Sequence, residues 1–165
     1  MPETYLDALL AELRACPPRA VPEPALLRLA GLTRAPQLRA LLDVLAAVEP
    51  RRIRVGELTI AQIDDSVPSA EDPDEDRTNV LMIGVSPGGD PYCVQRPDEN
   101  VSDEGPWIYR ILHGAGWISV PLVHGLDAMV ESFVAEARRK GERTDLDDRL
   151  GPLREAAVER WYRKP

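Results

Sequence analysis

Apolar residues in the first fifty positions recur at the spacing of a single helix face. Leu6, Leu9, Leu10 and Leu13 follow the order i, i+3, i+4, i+7. Thr4 stands where it can cap this helix, with Asp7 three residues on to complete a capping box, and Pro17-Pro18 ends it. A short second helix is predicted from Pro24 to Ala30, with proline in its first turn and Gly31 after its end. A third follows from the stripe Leu38, Leu41, Leu42, Leu45 and Val48, which Pro50 stops.

The period then falls from 3.6 to 2. Ile53 and Val55 alternate with arginine, and Leu58, Ile60 and Gln62 carry the opposite parity after Gly56, so a bulge or tight turn is expected there. Val80 to Val85, "VLMIGV", is an unbroken apolar run suited to a central strand. Further strands are predicted over Tyr92 to Gln95, over 107–112 and over 116–120. The polar, proline-bearing stretches 66–79 and 96–106 read as exposed loops. The helical period returns from Leu126 to Lys140, where Leu126, Met129, Val130, Phe133, Val134 and Ala137 share a face and Arg138, Arg139 and Lys140 complement the C-terminal dipole. A final helix is expected from about Leu146 to Arg163, with the pair Gly151-Pro152 close to its start.

Helices, then strands, then helices, segregated rather than alternating, indicate an α+β fold. The expected architecture is a mainly antiparallel sheet of four to six strands packed by N- and C-terminal helices. At 165 residues the chain reads as a single domain. Within it, residues 1–50 form a helical part, 51–140 the sheet and helix core, and 141–165 a C-terminal helical extension. Such a length buries about two-thirds of its unfolded surface, so neither disulfide nor metal is required to fold it.

Charge is more informative by position than in total. The net charge is −8, yet residues 64–127 hold 3 basic against 13 acidic side chains while the flanking segments are nearly balanced. That distribution argues against nucleic acid as a partner, because a phosphate binder concentrates Lys and Arg. It suits a basic protein partner, or solubility alone. Cys16 and Cys93 form no CxxC or CxxH pattern, which points to a reducing cytoplasm. The opening "MPETYLDALL" lacks the basic start of a signal peptide. The longest uncharged stretch, Ile111 to Leu126, is interrupted by glycine and proline and falls short of the ~18 apolar residues of a membrane span. A soluble chain without membrane contact is expected.

Candidate chemistry is sparse. In "GVSPGGD", Pro87 removes an N–H where a phosphate cradle wants successive donors, no GK[ST] or GxGxxG follows, and the next element is a strand. The glycine pair is therefore read as a hairpin turn. His113 and His124 have no metal-ligand spacing, and neither metal nor cofactor is expected. Cys93 with His113 or His124 forms the remaining catalytic alternative, a small hydrolase, although a buried strand thiol is the ordinary role for Cys93.

Three stretches carry a family likeness: "LMIGVSPGGDPYCV", "WIYRILH" and "AMVESFVAEA". A strand, a Gly-Gly-Asp turn, a second strand, an aromatic strand with a histidine and a helix bearing "SF" resemble the SUKH superfamily. That family contains fungal cell-wall assembly regulators and many bacterial immunity proteins. The resemblance covers about a third of the chain well and 36–140 loosely. The N-terminal half, "APQLRALLDVLAAVEP", lacks the family's aromatic residue and Asn-Gly, and the extension after Lys140 lies outside the pattern.

The resemblance implies a non-catalytic, cytoplasmic antidote that binds a protein toxin, often a nuclease, with a regulatory scaffold module as the alternative. An acidic patch would complement a basic nuclease surface. Its candidate residues are Asp64, Asp65, Glu71, Asp72, Asp74, Glu75 and Asp76 in one loop, with Asp98, Glu99, Asp103 and Glu104 in the other. Their charges add if both loops leave the sheet at one end. Val101 and Trp107 offer an apolar anchor, although the strand parity of Trp107 and Tyr109 predicts core positions for both, as does the turn beside Trp117.

Overall fold

In the computed structural model, which describes residues 2–60, 80–95, 107–112, 114 and 118–162, the capping box forms as the sequence requires. Thr4 Oγ1 accepts from the Asp7 N–H and Asp7 Oδ2 accepts from the Thr4 N–H, both at 3.1 Å. They start α1 (Tyr5–Arg14), whose leucine face is buried. α2 (Pro24–Leu32) and α3 (Pro36–Ala47) follow. α2 runs two residues past its expected end, through Gly31, to a buried Thr33 whose hydroxyl accepts from the Ala35 N–H.

β1 (Ile53–Val55), β2 (Leu58–Ile60), β3 (Val80–Val85), β4 (Pro91–Gln95), β5 (Trp107–Leu112) and β6 (Ile118–His124) pair antiparallel in sequence order, an up-and-down meander. The fold is therefore α+β with an antiparallel sheet packed by N- and C-terminal helices. β6 is longer than 116–120 and continues through Pro121. As an edge strand it needs no outward ladder donor from that proline. The chain closes with α4 (Leu126–Arg139), α5 (Asp147–Leu150) and α6 (Leu153–Tyr162). The single final helix expected from the sequence is thus split where Gly151 turns to φ 52° ahead of Pro152.

One face of the sheet carries Leu81, Ile83, Tyr92, Val94 and Ile108 and packs on the helices. The same cluster runs from Tyr5 to Ala157, so the N-terminal leucines and the C-terminal extension share one core with the sheet. Polar bonds stitch its parts together. Gln37 of α3 caps α4 by accepting from the N–H groups of Leu126 and Asp127, Asp127 accepts from the Leu6 N–H, and the Tyr5 hydroxyl donates to the Leu153 carbonyl. The opposite face of the sheet carries a small second cluster of Cys93 and Ile111 with Met82.

Gly56 begins the β1–β2 turn at φ 60°, and a Cβ there would lie 2.9 Å from the Phe133 carbonyl oxygen. The turn is pressed against the α4 backbone, which has no room to give. Gly56→Ala is expected to lower stability by about 1–3 kcal/mol, from positive-φ strain plus this clash. Urea unfolding measures the loss, and an unchanged midpoint would contradict the packing described.

Candidate functional site

All eleven acidic candidates, Asp64 to Asp76 and Asp98 to Glu104, lie outside the described residues, as do His113, Val101 and Trp117. The strands that bracket them are described. In a meander, alternate connections fall at the same end of the sheet. β2 therefore ends, β3 begins, β4 ends and β5 begins at a common end, with Val80 opposite Gln95 and Trp107 opposite His124. Segments 61–79 and 96–106 are both tethered there.

Trp107 stands on that end and corrects the expectation of a core position. It is 49% exposed, and its ring meets His124 edge-on at 5.1 Å. Strand parity does place it opposite a buried row, but on the sheet face away from the helices and in the last pair of the strand. Tyr109 is half-buried.

Cys93 is fully buried in β4, and burial pushes its thiol up to about 12. At neutral pH the thiolate fraction is on the order of one in 10⁵, unlike an activated nucleophile. Nor is it brought to His124: β5 lies between their strands, with Cys93 facing Tyr109 and His124 facing Trp107. Among the described residues no three His, Cys, Asp or Glu side chains converge as a metal-binding group. No helix among them is long and apolar enough to cross a membrane.

The Gly-Gly-Asp turn does more than reverse the chain. Ser86 and Asp90 close it through Ser86 N–H to the Asp90 carbonyl at 2.8 Å and Asp90 N–H to Ser86 Oγ at 3.0 Å, with Gly89 at φ 88°. The closed turn presents the Asp90 carboxylate to β5, where Arg110 Nε and Nη2 both donate to Oδ2 at 3.1 and 2.9 Å. Arg110 lies over the Tyr92 ring at 6.0 Å, and Tyr92 in turn meets Phe133 edge-on at 5.0 Å.

Arg110, Tyr92 and Phe133 floor a cleft of about 350 Å³ on the helix side of the sheet. Glu57 of the β1–β2 turn, Glu136 of α4, and Trp161 and Tyr162 at the end of α6 complete its walls. A bulge in β6, where Ile108 pairs with Val123 and Tyr109 with Pro121, turns both Leu122 and Val123 toward it.

No family model, curated protein or solved structure matches this chain. Its function is therefore argued from its own geometry.

α6 is held over the cleft by polar bonds. The Tyr162 hydroxyl donates to Glu136, and Arg138 pairs with Glu155 at 2.9 Å. Glu136 also receives Lys140 at 3.0 Å, and the Tyr162 and Lys140 bonds hold its carboxyl below the usual glutamate range. Arg160 reaches Glu131 at 3.2 Å, a carboxylate whose side chain is 2% exposed.

Burial raises the Glu131 carboxyl above its ordinary value, and Arg160 only partly offsets this. A raised carboxyl binds more protons in the folded than in the unfolded state. Stability is therefore expected to increase as pH falls through the window just above the ordinary glutamate value. Glu131→Gln should remove that segment of the pH profile and be neutral or stabilising at pH 7. Thermal melts across pH 4 to 7 test it, and a profile identical to the parent chain would refute the assignment.

None of the cleft residues was singled out from the sequence as a binding residue. The signal available was the scarcity of aromatics, 5% of the chain, combined with two of them adjacent near the C-terminus.

Proposed function

We propose that this chain is a non-catalytic protein-binding domain of the SUKH type, a bacterial immunity protein. It neutralises a toxin domain, such as a nuclease, through an acidic surface at one end of its sheet. The observation that carries this reading is the meander order, which roots both acid-rich segments at the end where Trp107 is exposed. A half-exposed tryptophan that follows the acid-rich segment 96–106 directly in the chain has the character of an interface anchor. The thiol of Cys93, protonated at neutral pH, supports a role without catalysis.

Affinity capture from the native host, with mass spectrometry of what is retained, identifies the partner. The reading requires a basic toxin domain whose activity the purified chain abolishes at stoichiometric ratio. A partner without toxic activity would favour the regulatory scaffold instead, and turnover lost on Cys93→Ala would favour a hydrolase.

A further inference from the structure

The chain has three Trp, four Tyr and one Phe, and half of them, Tyr92, Phe133, Trp161 and Tyr162, line the cleft between the sheet, α4 and α6. Trp161 and Tyr162 are each 40% exposed, so their apolar area is only partly used by folding. Two carboxylates, Glu57 and Glu136, stand in the same lining.

The donors around them are committed elsewhere. Arg110 gives Nε and Nη2 to Asp90, the Ser132 hydroxyl donates to the Met129 carbonyl at 2.7 Å, and the Tyr162 hydroxyl donates to Glu136. The positive charge of Arg110 is answered by Asp90 at 2.9 Å. Glu136 is also taken, accepting from Tyr162, from Lys140 at 3.0 Å and from Arg139 at 3.3 Å, so a guest is left with ring faces and the lone pairs of Glu57. Glu57 accepts a single side-chain bond among the described residues, from Lys140 at 3.3 Å, out of about four lone-pair sites. The rings already receive cations: Arg110 lies over Tyr92, and Arg139 lies 4.9 Å from the centre of Tyr162.

An electron-rich lining whose donors are taken selects a positively charged guest over an anion. We propose that this cleft is a binding site for an organic cation, an alkylammonium or guanidinium group, stacked on Trp161 and Tyr162 and held by Glu57. Its volume, about 350 Å³, falls at the small end of ligand sites. The cleft lies on the helix face of the sheet and Trp107 on the other, so the site stands whether or not the acidic end binds a toxin. A free small molecule and a lysine or arginine side chain of another protein offer the same chemistry.

The test is calorimetric titration of the full chain with four probes. Choline supplies a quaternary ammonium, 3,3-dimethyl-1-butanol is its neutral isostere, hexanoate is an anion, and a capped Gly-Gly-Lys-Gly-Gly peptide supplies a lysine side chain. Choline or the peptide is expected to bind about 10-fold or more tighter than the isostere and hexanoate. Tighter binding of the peptide assigns the guest to a protein side chain, and tighter binding of choline assigns it to a small molecule. Trp161→Ala and Glu57→Gln should each weaken the preferred probe several-fold. Glu57→Gln changes a half-buried turn residue whose described side-chain partner is Lys140, at the C-terminus of α4, so it keeps the test valid if the tryptophan variant loosens α6. Equal binding of choline and its isostere, preference for hexanoate, no binding of any probe, or no effect of Glu57→Gln would each overturn the proposal.

Discussion

Leu42→Ala is expected to destabilise the whole chain by about 3–5 kcal/mol, and to do so in one cooperative transition. Leu42 is fully buried in α3, the helix that packs against α1, α2 and α4. Truncating it to alanine removes three side-chain carbons, forfeits their transfer free energy and leaves a cavity that three neighbouring helices cannot close. Against a typical stability of about 5–15 kcal/mol this is a large fraction.

The same variant tests the unity of the core. Leu42 belongs to the cluster that includes Leu81 and Ile83 of the sheet and Leu150 and Ala157 of the C-terminal extension. Gln37 caps α4 from α3, and Arg149 of α5 reaches Glu12 of α1 at 2.6 Å. Helical ellipticity and tryptophan fluorescence should therefore lose signal at the same shifted urea concentration. A helix signal that melts ahead of an unchanged fluorescence transition would mean that the N-terminal helices form a unit of their own.

What the sequence made legible was local. The α1 capping box spans four residues, the α3 stripe repeats within one helix, and the Gly-Gly-Asp turn sits between two apolar runs. In each case the residues that specify the element are neighbours in the chain. The boundaries that moved did so for tertiary reasons. The strand predicted over 116–120 runs on through Pro121 to His124 because an edge strand tolerates proline. Gly31 stays helical because Leu29 and Ala30 beside it are buried against the core.

The cleft is illegible in the sequence for a different reason. Its walls come from positions 57, 92, 110, 136, 161 and 162, which meet only once the β1–β2 turn, the sheet, α4 and α6 are assembled. No periodicity links them. The turn glycines were read correctly as geometry, but the aspartate beside them was counted with the turn, and its role as the partner of Arg110 depends on strand register. Trp107 departs from its predicted core position because parity identifies a face without saying which face the helices cover.

On the proposed toxin-binding reading, association should respond most to the acid-rich segment 96–106. Replacing Asp98, Glu99, Asp103 and Glu104 together by their amides removes four negative charges from a segment of eleven residues bounded by Gln95 and Trp107. Steering acts on encounter, so the association rate with the captured toxin domain is expected to fall by about 10-fold or more at low salt. Its dependence on ionic strength should flatten, because the variant lacks the charges whose attraction added salt would screen. Trp107→Ala should act on the other step. A desolvated aromatic anchor contributes about 2 kcal/mol or more, which appears as roughly 30-fold faster dissociation with the association rate nearly unchanged. Stopped-flow mixing over a salt series separates the two. If the amide variant associates as fast as the parent at every salt concentration, charge does not guide the encounter. If Trp107→Ala leaves dissociation untouched, the partner docks elsewhere than at the end of the sheet where both acidic segments are rooted.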